Sequence, residues 1–242
     1  MMRAAAALLG TALIATACHS SGSAEETGPT VSRDVPVAGA FDRIASTGST
    51  DVVVTVGGPA AIRAEGDQAT LDRLEITNQN GQLQIGLRQS SGNWFSWGHH
   101  GGATVHVTLP ALAGASITGS GDMRIDRVQG PRFAGSITGS GDMEVGTLAV
   151  GEANLAVTGS GGITAAGTAQ HASGSVTGSG DLHLDRLEAA NATLAVAGSG
   201  DIGIRATQTA AIEIRGSGDV TVTGPARCTI SKSGSGDAHC GG

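Results

Sequence analysis

The chain has 242 residues, of which 40 are Gly, 2% are aromatic and none is Tyr. Gly and Pro together stay below the share that marks low-complexity disorder, and 39% apolar residues supply a core, so a folded body is expected. The net charge of −7 repels polyphosphate and excludes nucleic acid as a natural partner.

Met1, Met2 and Arg3 make a short positive start, and residues 4–14 are apolar, the pattern of an export signal. That stretch is too short to cross the roughly 30 Å hydrocarbon layer as a helix. It runs into Ala15-Thr16-Ala17-Cys18, which resembles a lipobox. The resemblance implies removal of residues 1–17 and acylation of Cys18 on its sulfur and new amino group, palmitate included. Acyl chains at about 0.8 kcal/mol per buried CH₂ then hold the protein on a bilayer. His19 rather than Asp follows the cysteine, which by the same analogy implies the outer membrane in a diderm organism. With Arg3 gone, 13 basic residues face 21 acidic ones. Residues 18–38 are read as a lipidated, flexible tether, since 20–29 (SSGSAEETGP) are polar and aperiodic.

Residues 39–242 are read as one all-β body, a right-handed parallel β-helix, with degenerate coils over 39–110 and regular coils over 111–242. In the degenerate part, Gly48-Ser49-Thr50-Asp51 with Ile44 and Val52 and Val54 around it follows the later repeat, Thr50 standing for a Gly. Alternation persists through Ile62 and Ala64, Leu83, Ile85 and Leu87, and Val105, Val107 and Leu109. Bends near 48, 66, 81, 101 and 119 keep one pitch, which predicts about ten coils in all. Residues 69–76 (ATLDRLEI) read as a short helix or an irregular turn.

Residues 91–101 break this economy with Trp94, Phe95, Trp97, His99 and His100 in a Gly-flanked loop. Aromatic groups in a chain nearly without them suit a contact surface for glycan, protein or lipid headgroup, or a loop folded back on the body. His99-His100 alone is no metal site, because no third ligand can be named.

From residue 111 onward the tetrad Gly-Ser-Gly-Asp, or a close variant, begins at Gly119, Gly139, Gly159, Gly178, Gly198, Gly216 and Gly234, at spacings of 18 to 20 residues. Two residues before each first Gly, up to Gly216, stand Ile117, Ile137, Val157, Val176, Val196 and Ile214. Four after it stand Met123, Met143, Ile163, Leu182, Ile202 and Val220. Period-two alternation on both sides of a Gly bend means strand, bend, strand, and only stacked copies bury the apolar rows. Parallel crossovers are nearly always right-handed, hence the predicted hand. The Gly residues serve positive φ, and Ser and Asp serve nearby backbone groups.

The stacked Asp122, Asp142, Asp181, Asp201, Asp219 and Asp237 form a carboxylate ladder broken at Gly162. Neighbouring carboxylates repel by about 1 kcal/mol in water. The ladder is therefore solvated, bonded to backbone N–H groups, or neutralised by a cation such as calcium; a turn-building role is the favoured reading. Ser116, Thr118, Ser136, Thr138, Thr158, Ser175 and Thr177 line an outward hydroxyl face, suited to exposed strands and to an ordered polysaccharide or ice. At the end of the chain, Lys232 and Ala238 replace large apolar residues, and Cys228 and Cys240 take inward positions of one coil. In an exported protein these two pair as a disulfide, with two buried free thiols as the alternative.

No Ser/His/Asp set, zinc signature or phosphate loop is present, so no catalytic residue, metal or cofactor is expected. Phe41-Asp42-Arg43-Ile44, Gln82-Leu83-Gln84-Ile85, Val105-His106-Val107-Thr108-Leu109-Pro110 and the Ser-Gly-Asp bends together resemble the bacterial family called putative auto-transporter adhesin, head GIN domain. The resemblance covers about 200 residues from Phe41 onward. It implies a β-helical envelope protein, pectin-lyase-like in shape, with adhesion to glycan or protein as its role. An envelope structural or assembly role, and a polysaccharide lyase, are the alternatives.

Overall fold

The alternation of small polar and β-branched residues on either side of each tetrad builds one coil of a solenoid. In the computed structural model, which describes residues 30–36, 38–88 and 102–241, seven elements precede the regular coils. They are β1 (Val31–Asp34), β2 (Arg43–Gly48), β3 (Asp51–Val56), β4 (Ala61–Gly66), α1 (Gln68–Arg73), β5 (Leu74–Gln79) and β6 (Gln82–Leu87). Strand β7 (Thr104–Leu109) and β8 (Gly114–Gly119) lead into the repeats β9 (Met123–Gly139), β10 (Met143–Gly159), β11 (Gly162–Gly178), β12 (Asp181–Gly198) and β13 (Ile202–Gly216). The last coil is β14 (Val220–Thr223), β15 (Arg227–Gly234) and β16 (Ala238–Cys240).

From β8 onward every pairing is parallel, and like positions lie over one another. Ile117 pairs with Ile137, Ile137 with Val157, Val157 with Val176, Val176 with Val196, and Val196 with Ile214. All are buried, as are the matching Met123, Met143, Ile163, Leu182, Ile202 and Val220 across the bend. Each such side chain leaving water contributes about 1.5–3 kcal/mol, so a coil is stable only with a neighbour to cover it.

Both glycines of the tetrad are needed, for different reasons. The first has φ of +117° to +141° in the seven regular bends, where a side chain is strained. The second sits so close to the coil before it that a Cβ on Gly141 would lie 2.1 Å from the Gly121 carbonyl oxygen, and one on Gly161 2.0 Å from that of Gly141. The close approach is used for bonding: the N–H groups of Ser140 and Gly141 both donate to the Gly119 carbonyl, at 2.9 and 3.2 Å. Thr50 occupies the second-Gly position of the β2–β3 bend and is buried there.

The N-terminal part departs from the expected ten coils. The solenoid has about six turns, which run from Gly119 to Gly234, with two partial coils beyond them. β2 and β3 form one; β6 and β7 stack parallel on β2 and β3 to form the other. β4 pairs antiparallel with β7, β1 with β4, and β5 with β6. The bend near 81 is a hairpin, with Asn80 at φ 53° and Gly81 at φ 78°, the left-handed pair that a two-residue turn requires. Alternation has the same period in parallel and antiparallel strands, so spacing alone cannot separate them. The bend near 66 leads into α1, capped by Asp67, whose carboxylate accepts from the Thr70 N–H at 2.9 Å. Residues 69–76 are thus divided between α1 and the start of β5. Val31–Asp34, inside the stretch read as tether, is strand β1, so the folded body begins before residue 39.

Strands β1, β4 and β5 and helix α1 close the N-terminal end, with Leu71 of α1 buried against the core. Hydrogen bonds from Thr70, side chain before backbone, lower the Asp67 carboxyl from its ordinary 3.8. The cap's contribution is therefore fully present above that value and fades as the pH falls through the lowered one. Protection of the Thr70 amide against exchange, relative to an unstructured amide at the same pH, is expected to fall below about pH 4 and to be low at all pH values in Asp67→Ala. Gly141→Ala is expected to cost about 1–3 kcal/mol by overpacking, and Ser140→Ala, at the exposed position between the glycines, less than about 0.5 kcal/mol. Chemical denaturation of the two variants measures both.

Candidate functional site

The bend corner carries the aspartates. Each carboxylate accepts the backbone N–H of the next rung: Asp122 N–H donates to Asp51 Oδ1 at 2.9 Å, Asp142 N–H to Asp122 Oδ1 at 2.9 Å, and Gly162 N–H to Asp142 Oδ1 at 2.7 Å. The ladder resumes with Asp201 N–H to Asp181 Oδ1, Asp219 N–H to Asp201 Oδ1 and Asp237 N–H to Asp219 Oδ1, at 2.7–2.8 Å. Bonding to backbone N–H groups thus relieves the repulsion, and exposure of Asp142, Asp201, Asp219 and Asp237 to solvent adds to that relief. At the break, Gly162 has no carboxylate to offer, and Asp181 N–H turns to the Gly161 carbonyl at 3.2 Å. The aspartates therefore build the corner.

The missing side chain at Gly162 leaves a depression of about 380 Å³, lined by Asp142, Asp181, Arg124, Glu144, Thr164 and His183 among others. Arg124 pairs with Glu144 across coils at 3.6 Å. Among the described residues no group of three or more His, Cys, Asp or Glu side chains is arranged to hold a metal ion. The other charges pair in the same exposed fashion, Arg132 with Glu152 at 3.1 Å and Arg205 with Glu188 at 3.0 Å. Hydrogen bonds from Asn154 and then Arg132 hold the Glu152 carboxyl below its ordinary range.

The sheet face before the bends is different in kind. Its outward positions form three in-register columns: Thr118, Thr138, Thr158, Thr177 and Ala197; Ser116, Ser136, Ala156, Ser175 and Ala195; and, one coil later, Ala134, Asn154, Ser173 and Thr193. Charge bounds the run at both ends: the Arg43 side chain lies over Gly114 at one end, and Glu213 and Arg215, bonded to each other, stand one coil beyond Ala195 and Ala197 at the other. The four threonines are exposed. Side chains this short leave a flat surface several coils long.

At the C-terminal end, Cys228 stacks on Ala210 and Cys240 on Val222, the inward columns, but no coil among the described residues covers them. Cys228 is half-buried and Cys240 exposed; the two are joined, with Cα atoms 6.4 Å apart. Cys18, Trp94, Phe95, Trp97, His99 and His100 lie outside the described residues. The segment holding the aromatics connects β6 to β7, the strands stacked on β2 and β3, whose own connection is a tetrad-like bend. No helix among the described residues is long and apolar enough to cross a membrane.

Residues 40–226 match the family described as "Putative auto-transporter adhesin, head GIN domain". The chain belongs to that family. Solved structures agree on the fold. A putative adhesin from Bacteroides fragilis superposes with a TM-score of 0.77 at 22% identity, over 87% of this chain and 96% of the other. A protein from Parabacteroides distasonis named as a putative lipid binding protein gives 0.69 at 23% identity, over 88% and 96%. A putative adhesin from that organism gives 0.70 at 20% identity, over 88% and 97%. A search of curated proteins finds no match.

The ladder bonding yields a direct test. Asp142→Ala removes the acceptor for Gly162 N–H, so exchange at that amide is expected to rise by roughly tenfold, a loss of about 1 kcal/mol, while distant coils keep their protection. A chelator is expected to leave the thermal midpoint unchanged, since the corner is held by N–H donors. Mass-resolved hydrogen exchange and a melting curve with and without chelator check the two.

Proposed function

We propose that the protein is a non-enzymatic adhesion module of the bacterial cell envelope, anchored through acylated Cys18 to the outer membrane and binding an uncharged, extended partner, glycan or protein. The observation that carries this reading is the flat face of two columns, from Ser116 and Thr118 to Ala195 and Ala197, hydroxyl-bearing and without a charged side chain across five coils of an otherwise charged body. A regular partner laid on such a face meets the same groups at each coil, so weak contacts add along its length. The adhesin family supports the role. The lipobox-like Ala15-Thr16-Ala17-Cys18 supports the anchor. The aromatic group Trp94, Phe95 and Trp97 is a second contact, bringing the large amphipathic surfaces that interfaces favour.

The reading is tested with the soluble body on a glycan array and on isolated envelopes. Thr138→Lys with Thr158→Lys puts two ammonium groups on the face. It is expected to lower binding by roughly tenfold or more, the cost of desolvating them against a neutral partner, with little change in melting temperature. Trp94→Ala with Trp97→Ala is expected to weaken binding to a smaller degree. Binding that survives both double variants, or turnover of any polysaccharide on the panel, rejects the proposal. Labelling with a palmitate analogue that persists in Cys18→Ser rejects the anchor.

A further inference from the structure

The last coil is held differently from every coil before it. Strand β15 pairs only with β13 and β16 only with β14, over three residues. Little of its side-chain surface is buried. Along β15 only Cys228 is half-buried, and Ile230, at 45% exposure, is the one exposed large apolar side chain among the described residues. In β16, Ala238 is half-buried while His239 and Cys240 are exposed. Beneath this thin layer lie Ala210, Ile212 and Ile214 of β13 and Val220 and Val222 of β14, all buried. Segments with few buried apolar contacts and one-sided ladders are the first to open.

Two fastenings offset that weakness. The Lys232 ammonium donates to the Gly236 carbonyl and to Asp237 Oδ1, both at 3.1 Å, and so ties the bend. The Cys228–Cys240 bridge spans the other side of the coil, linking β15 to β16 over a separation of 12 residues. Of the two sulfurs, that of Cys240 belongs to an exposed residue near the chain end, within reach of a reagent from solvent.

We propose that the Cys228–Cys240 bridge is a redox latch: oxidised it keeps the C-terminal coil shut over the core, and reduced it lets β15 and β16 open and bare the edges of β13 and β14. The reductant is a dithiol. Its thiolate attacks the Cys240 sulfur, the S–S bond breaks, and the Cys228 thiolate leaves and takes up a proton. The second thiol of the reductant, as thiolate, then attacks the reductant's own sulfur in the mixed disulfide and releases Cys240, which takes up the second proton. The protein gains two thiols and two electrons, and the reductant becomes a disulfide. The opened end presents unpaired N–H and C=O groups above a row of Ile and Val, the feature that edge strands normally hide.

Hydrogen exchange of the full-length chain, with and without dithiothreitol, tests the latch, and Cys228→Ser with Cys240→Ser repeats the reduced state without reagent. Exchange within residues 220–240 is expected to quicken by about tenfold or more in both, while residues 123–198 keep their protection. Adding dithiothreitol to the double variant is expected to change nothing further. Unaltered exchange at 220–240 in both the reduced protein and the variant overturns the proposal. So does exchange that quickens equally along the whole rod, since the bridge then stabilises the body at large and latches nothing.

Discussion

Backbone approaching backbone at the bend corner is the constraint on which the rest of the molecule depends. The carbonyls of Gly119, Gly139, Gly159, Gly198 and Gly216 each accept two N–H groups from the coil that follows, Gly178 accepts one, and this geometry leaves room for no Cβ on the second Gly. Once the corner is fixed, the strand on either side enters it in one register, because a one-residue slip would turn every inward side chain outward. Ile117, Ile137 and Val157 lie in a column because the glycines two residues later do. The aspartates extend the same logic by one residue, giving each following N–H an acceptor that the bent backbone cannot supply. Repulsion between neighbouring carboxylates is tolerated because each is engaged by a donor and faces water.

A column of coils has two ends, and each coil covers only its neighbour, so the ends need separate solutions. At the N-terminal end the chain abandons the repeat. It lays β4 and β5 antiparallel on the outermost coil, adds β1 on the edge of β4, and sets the short helix α1 between β4 and β5. At the C-terminal end the repeat continues to its last residue but changes content: Lys232 stands over Ile214 and Cys228 over Ala210. The first solution uses added chain and a buried leucine, Leu71. The second uses a bridge and an ammonium group, with almost no burial.

The regular coils were legible in the sequence because their two determinants, glycine at fixed offsets and apolar residues every second position, are local. The bend at Gly119, the inward run at Ile125 and the stacking of Ile137 follow from offsets of a few residues. The N-terminal cap was not legible by the same means, since strands such as β4 and β5 alternate whichever way they run. Asn80-Gly81 was the available signal, being a hairpin dipeptide rather than a solenoid bend. The role of Asp142 lay beyond local reading too, because its partner is the N–H of residue 162, one coil away. The notch at Gly162 was visible as a gap in the ladder, but its depth is set by Arg124, Glu144 and His183 on three different coils.

The same division explains how the family keeps its shape while its sequences diverge. Structures that superpose at a TM-score of 0.77 share 22% identity with this chain. The fold restricts only the bend glycines and the inward positions, and the inward positions accept any apolar side chain of suitable volume, as the Met, Ile, Leu and Val of one column already do. Outward positions are restricted by nothing in the coil itself. Burial alone does not call for a face free of charge from Ser116 to Ala197, beside faces where Arg124 meets Glu144 and Arg205 meets Glu188. Its composition is open to selection by what lies against it, whereas the core and the corner answer to the fold.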